Sequence, residues 1–218
     1  MKTVLKNFCR LCGEEDKLLP VEGIDGRSYF FCEKCSLISA DKKHFLDGQS
    51  EKARYLTHRN GIQFEGYVKF LRRAVDPAVK FIKKGETGLD YGCGPVPTLS
   101  VILKKEGYSC DDYDPFFVKN KPDRKFDFIF STEVFEHFFN PGGEIRKIRS
   151  LLGDGGTLVV MTERWKDREH FAKWYYARDN SHVCFYHSRT FSYICGEFGF
   201  EKLFDDGQRV VILKKTGG

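Results

Sequence analysis

The stretch Thr87-Gly88-Leu89-Asp90-Tyr91-Gly92-Cys93-Gly94-Pro95 decides how this chain is read. Thr87 to Tyr91 predict a strand, the glycines a tight turn, and the apolar spacing of Leu99, Val101, Ile102 and Leu103 a helix directly behind it. Glycines at 92 and 94 let a ligand approach the backbone closely, and the start of the helix presents free N–H groups to it. Asp90 sets a carboxylate near the strand end, where a dinucleotide fingerprint has a small or apolar residue. Pro97 occupies that fingerprint's third glycine position. Both departures argue against NAD.

Downstream, Tyr108 to Tyr113 predict a second strand. It delivers Asp114 about twenty residues beyond Gly94, the separation at which a doubly wound fold sets an acid on ribose hydroxyls. Asp112 competes by strand alternation, but a strand ending at Tyr113 favours Asp114. Phe126 to Ser131 predict a third strand, followed by Thr132-Glu133-Val134-Phe135-Glu136-His137. A helix is then bounded by Asn140 as cap, Pro141 as first residue and Gly153 as stop, with Ile145, Ile148, Leu151 and Leu152 facing inward. Thr157 to Thr162 form the continuous apolar run of a strand buried on both faces, so the fold class is α/β with a mostly parallel sheet. Phe198 to Phe204 and Arg209 to Leu213 predict a turn and two closing strands.

The combination of LDYGCGP, DYDP, FDFIFSTEVFEHF and a helix ending LLGDGGTLVVMT resembles class I S-adenosylmethionine-dependent methyltransferases over residues 85–215. The resemblance implies their Rossmann-like, mostly parallel sheet with an antiparallel final pair, and S-adenosylmethionine as cofactor. It places Asp90, Gly92 and Gly94 at the methionine and ribose portions, Asp114 at the ribose hydroxyls, and Ser131 to Glu133 beside the methionine and the reacting sulfonium. Two departures stand out. Val96 replaces the third loop glycine, and Phe126 follows Asp114 so soon that the usual third strand and its adenine-contacting acid are shortened or absent. Asp111 and Phe116 are the substitutes for that contact.

Upstream, Cys9-Arg10-Leu11-Cys12 and Cys32-Glu33-Lys34-Cys35 are two CxxC pairs with the spacing of zinc ribbons. Each pair closes a turn that points two thiolates inward, and Gly13 lets the backbone turn under the metal. Leu18 to Val21 and Ser28 to Phe31 predict a hairpin with little core of its own, so a structural Zn2+ with four thiolate ligands is expected to supply folding energy. Four ordinary buried cysteines are the plainer alternative. A redox role is disfavoured, because such a motif opens a helix in a thioredoxin-like unit and here it occurs twice.

Between these parts, Phe64, Tyr67, Val68, Leu71 and Val75 mark an amphipathic helix, and Asp76-Pro77 reads as a cap and restart of a second short helix through Ile82. Arg54 to Asn60 either lines a ligand site or merely connects. The expected organisation is a zinc-ribbon-like module at 1–45, a helical connector at 46–84 and a methyltransferase domain at 85–218. An insert between Thr162 and Ser188 is rich in Trp165, His170, Phe171, Trp174, Tyr175, Tyr176, Asp179, His182, Phe185, Tyr186 and His187. It reads as an acceptor lid or as a packed cap. His137 and His182 are the candidates for a general base, should the acceptor have to lose a proton; the bland alternative is hydrogen-bonded structural histidines.

Composition sets outer bounds. The chain has 218 residues, 41% hydrophobic and 31% charged, with a net charge of +5. This is a soluble globular composition; it excludes disorder as the main state and does not demand an anionic partner. No run suits a membrane span and the start lacks a signal-peptide core, so a cytoplasmic location is expected. The expected activity is methyl transfer to an acceptor, a small molecule being favoured over RNA. The alternative is a non-catalytic zinc-ribbon adaptor or RNA-binding protein that keeps the fold.

Overall fold

The computed structural model describes residues 8–57 and 60–217. At the amino-terminal end, β1 (Leu18–Val21), β2 (Tyr29–Cys32) and β3 (Ile38–Ala40) form an antiparallel meander, with one cysteine turn ahead of β1 and the other joining β2 to β3. The turns are built alike. Gly13 N donates to Cys9 O at 2.7 Å and Ser36 N to Cys32 O at 2.8 Å, with φ of 76° at Gly13 and 56° at Ser36. Glycine takes that left-handed conformation freely, whereas serine pays roughly 1 kcal/mol for it.

The connector holds α1 (Gly48–Tyr55), capped by the Asp47 side chain, and α2 (Glu65–Ala78). The first ends at Tyr55, and the second begins at Glu65 and runs on through Asp76-Pro77, where the sequence suggested a new helix start. Pro77 lies in the last turn of α2, where its missing N–H removes a single bond, and Asp76 pairs with Arg72 at 3.1 Å instead of capping a new helix.

Next come β4 (Thr87–Tyr91), α3 (Thr98–Lys105), β5 (Ser109–Tyr113), β6 (Phe126–Thr132), α4 (Pro141–Leu151) and β7 (Leu152–Met161). The insert contributes α5 (Arg168–Lys173) and β8 (Cys184–Phe185), and the chain ends with α6 (Ser188–Phe198), β9 (Phe200–Asp205) and β10 (Val210–Lys215). The large sheet has the order β5-β4-β6-β7-β10-β9. Its first four strands are parallel and β10 runs antiparallel to both β7 and β9. It is the mostly parallel α/β sheet expected, with β5 at one edge and no strand formed between Asp114 and Phe126.

The small sheet gains its fourth strand from β8, giving β1-β2-β3-β8. This long-range pairing had no local signal. The insert is thereby built into the cysteine module: Tyr29 packs edge-on against Phe171 at 5.2 Å and Phe185 at 5.8 Å. One buried core runs from Cys9, Leu11 and Tyr29 through Phe135 and Tyr186 to Leu158 and Val160 of the large sheet. Among the described residues no helix is long and apolar enough to cross a membrane.

Arg164 locks the closing hairpin. Its guanidinium is buried and donates to Asp205 Oδ1 at 2.6 Å and Asp206 Oδ1 at 3.3 Å. Arg164→Ala is expected to cost about 2–3 kcal/mol in chemical denaturation, after allowance for the part of Asp205 that meets solvent. Burial pushes Asp205 up, but the Arg164 bond and the Gly207 N–H overcome it and hold the carboxyl at about 2. The pair's stabilisation is therefore present above the ordinary carboxylate pKa of about 4 and is lost as pH falls toward 2, so the variant's deficit should shrink in acid.

Candidate active site

A cavity of about 750 Å³ opens at the carboxyl ends of β4, β5 and β6. Its floor is the loop after β4, where Gly92 has φ 89° and Gly94 φ 67°. A Cβ at Gly92 would lie 2.5 Å from Val134 Cγ2, whereas a Cβ at Gly94 would meet nothing within 4 Å. Gly92 thus makes room for protein and Gly94 for a ligand. Gly92→Ala is expected to destabilise the chain by about 2 kcal/mol through strained φ and the clash, visible as a lower thermal midpoint.

Asp114 fastens this loop. Its Oδ2 accepts from Gly94 N at 3.0 Å, and Oδ1 accepts from Phe116 N at 2.8 Å and Phe117 N at 3.1 Å. One lone pair, on Oδ2, stays available beside the cavity. Asp90 lies beneath, its pKa raised well above normal by burial and then by Asp112 and Asp114. Tyr67 and Phe70 of α2 and Glu51 and Tyr55 of α1 close the walls.

The far end is built from two distant segments. Residues 133–137 follow β6, and Asp179 and His182 come from the insert. Glu133 sits in the left-handed region at φ 53°, held by its N–H on Met161 O at 2.7 Å, a conformation that turns the chain into the cavity. Arg209 donates to both its oxygens at 3.1 and 3.2 Å, and the Tyr176 hydroxyl stands 3.1 Å from Glu133 Oε2 and 2.6 Å from Glu136 Oε1. Burial, then the Glu136 charge, pushes Glu133 up to about 8 against the pull of Arg209. Burial also pushes Glu136 up to about 7, against the Tyr176 hydroxyl.

His137 and His182 meet with ring centroids 4.8 Å apart. Burial lowers the pKa of His137, and burial together with His137 lowers that of His182 to about 3, so both rings are neutral. Arg54 of α1 donates to Asp179 at 2.6 Å. Burial raises Asp179, but Arg54 and Ser181 hold it below the ordinary carboxylate range. The connector and the insert are thereby tied across the opening.

A family model described as a methyltransferase domain matches residues 61–203. The chain belongs to this methyltransferase family. Solved structures share its fold. A chain from a Haloferax volcanii complex formed with the Trm112 methyltransferase activator is 13% identical with a TM-score of 0.54, over 78% of this chain and 96% of that one. An S-adenosylmethionine-dependent methyltransferase from Archaeoglobus fulgidus is 16% identical with a TM-score of 0.51, over 67% and 94%. The magnesium protoporphyrin IX methyltransferase of Synechocystis, solved with S-adenosylhomocysteine, is 13% identical with a TM-score of 0.51, over 80% and 98%. No curated protein is similar in sequence to this chain.

In this methyltransferase, Asp90, Gly92, Gly94, Asp114, Glu133, His137 and His182 all line the cavity. Ser131 does not: it is wholly buried in β6, and its hydroxyl has no hydrogen-bond partner among the described residues. Phe116 reaches the wall, whereas Asp111 faces outward and pairs with Arg124 at 2.7 Å. Tyr55 and Asn60 line the cavity, so part of the 54–60 stretch belongs to the site; His58 and Arg59 lie outside the described residues. Of the insert, only Asp179 and His182 face the cavity, while Trp165, Phe171, Trp174, Tyr176, Phe185 and Tyr186 are buried in the core. Sequence reasoning singled out neither Glu136, quoted only within its motif, nor Glu51 and Arg209, whose placement depends on long-range packing.

The four cysteines cluster as a metal site. Cys9 Sγ and Cys35 Sγ are 3.5 Å apart, as are Cys12 Sγ and Cys32 Sγ, and all four sulfurs lie within 4.8 Å of one another. Thiolates at about 2.3 Å from a tetrahedral zinc stand about 3.8 Å apart, so the cluster is consistent with zinc. Sulfurs packed this closely cannot all ionise without a cation between them.

Proposed function

We propose that this chain transfers a methyl group from S-adenosylmethionine to a small-molecule acceptor inside the 750 Å³ cavity. The observation that carries this reading is the make-up of the wall, rich in carboxyl groups and poor in cations. Among the described residues lining the cavity, seven are carboxylic side chains, Glu51, Asp90, Asp114, Glu133, Glu136, Glu144 and Asp179, and Lys147 is the one Lys or Arg. Burial pushes Glu51, Asp90, Glu133 and Glu136 toward their neutral forms. The wall therefore offers a sulfonium cation neutral oxygen acceptors together with the charge of the remaining carboxylates, and offers a phosphate backbone almost no cation to pair with. The volume also falls in the ordinary range for small ligands, roughly 300–1,000 Å³.

The residues fit the cofactor on their own geometry: open space above Gly94, anchored Asp114 oxygens at the end of β5, and buried Asp90 beneath the loop. S-adenosylmethionine supplies an electrophilic methyl on a positively charged sulfur. The loop and Asp114 orient the ribose, Glu133 faces the sulfonium side, and the walls from α1 and α2 exclude water. Positioning supplies most of the rate, because the reaction needs an in-line approach of the acceptor. When no cation is bound beside it, His137 is the ring suited to take a proton from the acceptor; His182, packed against it and held at about 3, is too weak a base for that role. Cys9, Cys12, Cys32 and Cys35 hold a structural zinc that builds the amino-terminal module of residues 1–45 beside the connector 46–84 and the methyltransferase domain 85–218.

The test is incubation with S-adenosylmethionine labelled at the methyl group, in parallel with an RNA-free pool of small metabolites and with total RNA. Label is expected in low-mass products. Label in RNA with none in the metabolite pool would overturn the acceptor class.

A further inference from the structure

We propose that Glu136, His137 and His182 form a binding site for a divalent transition-metal ion at the acceptor end of the cavity, where the ion takes and activates an acceptor hydroxyl. The role of the hydroxyl rests on the methyltransferase reading above, whereas cation binding stands on geometry alone.

One ligand atom from each of the three residues lies within 4.8 Å of the others. Ligands around a bound ion stand about 3–4 Å apart, so small side-chain rotations close the set. Both histidines are preset for ligation. His137 Nδ1 is 3.0 Å from Ser181 O, and His182 Nδ1 is 2.8 Å from Tyr176 O. A carbonyl can only accept, so Nδ1 carries the proton in each neutral ring and Nε2 keeps its lone pair. A hydrogen bond from the second ring nitrogen to a carbonyl is what orients metal-bound histidines.

Glu136 supplies an independent observation. It has no exposed surface, and while Oε1 accepts from Tyr176, Oε2 has no hydrogen-bond partner among the described residues. Leaving a buried carboxylate oxygen unpartnered is costly, and a cation beside it removes that cost. Glu136 Oε1 is also 4.0 Å from His137 Nε2, so carboxylate and imidazole face one centre.

The donor set selects the ion. Two neutral imidazoles and one carboxylate suit Mn2+, Fe2+, Co2+ or Zn2+ better than Ca2+ or Mg2+, and differ from the all-sulfur set of the amino-terminal cysteines. Three protein ligands leave positions open, and all three residues line the cavity, so those positions face the acceptor space. A hydroxyl bound there becomes far more acidic. Its proton leaves to water, its oxygen pair forms the new bond to the methyl carbon, and the carbon–sulfur pair stays on sulfur. The inferred acceptor class is therefore a small molecule whose reacting hydroxyl can ligate a metal.

The untagged protein, with zinc in its four cysteines, is titrated with MnCl2 and separately with CoCl2 in the absence of S-adenosylmethionine. Calorimetry should show one further ion per chain, and pulsed paramagnetic resonance of the Mn2+ form should show imidazole nitrogen couplings. Glu136→Gln and His182→Ala should each weaken ion binding at least about tenfold while retaining the cysteine zinc. No binding of either ion to the wild-type protein, Mn2+ without nitrogen couplings, or equal affinity in wild type and both variants would overturn the site. S-adenosylhomocysteine affinity is measured alongside. Cofactor binding without ion binding defeats this inference alone, and ion binding without cofactor binding defeats only the methyltransferase reading.

Discussion

Cys35→Ser is expected to lose bound zinc and to lower the thermal midpoint by about 10 °C or more. Structural zinc in small modules supplies folding free energy on the order of 10 kcal/mol, most of which goes when one thiolate is removed. The small sheet cannot replace it, since β1 to β3 are three or four residues long. The damage should spread, because the buried cluster around Cys9, Cys32 and Cys35 continues through Tyr29, Phe185 and Phe135 into the large sheet. Even a loss of about 4 kcal/mol, less than half of that, translates into roughly 8–16 °C in a chain of this size. Calorimetric scanning with metal analysis checks it. The β8 connection adds a functional consequence: the insert that carries Asp179 and His182 leans on β3, so the zinc-free protein should also bind cofactor and acceptor more weakly. A Cys35→Ser protein with an unchanged midpoint would mean that the apolar core suffices without metal.

The second large effect is at Asp114. Asp114→Ala should weaken S-adenosylhomocysteine binding about 100-fold, equivalent to roughly 2.7 kcal/mol. The variant loses the carboxylate at the expected ribose position and frees the N–H groups of Gly94, Phe116 and Phe117, which then no longer hold the loop. Asp112→Ala is the matched control. Asp112 lies off the cavity and pairs with Lys104 at 3.8 Å, so its loss should change affinity by less than about threefold. Equal losses in the two variants would show that the general negative field, and not the anchored carboxylate, binds the ligand.

Local signals explain what could be read from the sequence. The glycine turn after β4, the Asn140-Pro141 helix start, the two CxxC turns and the apolar run of β7 each declare themselves within a few residues. Asp114 was legible because a parallel strand delivers its end residue at a fixed distance. Misreadings came where tertiary context outweighed a local cue. Asp76-Pro77 has the form of a helix start, yet it lies in the last turn of α2, with Asp76 paired to Arg72. Ser131 follows the strand alternation into the sheet interior, and the motif reaches the cavity at Thr132 and Glu133, the latter with a left-handed backbone that no residue preference announces. The insert's aromatic residues read equally as lid or core because composition cannot say which face of a segment is covered. Pairing of β8 with β3, across more than 140 residues of chain, decides it mostly for core. The meeting of His137 with His182 depends on the same pairing.

The most direct test of the central claim is calorimetric titration of the folded, zinc-loaded protein with S-adenosylmethionine and S-adenosylhomocysteine, with NADH as control. The cavity predicts micromolar, one-to-one binding of the first two and none of the third. A folded protein that holds its zinc and binds neither sulfur ligand would contradict the account and leave a non-catalytic adaptor built on the same fold.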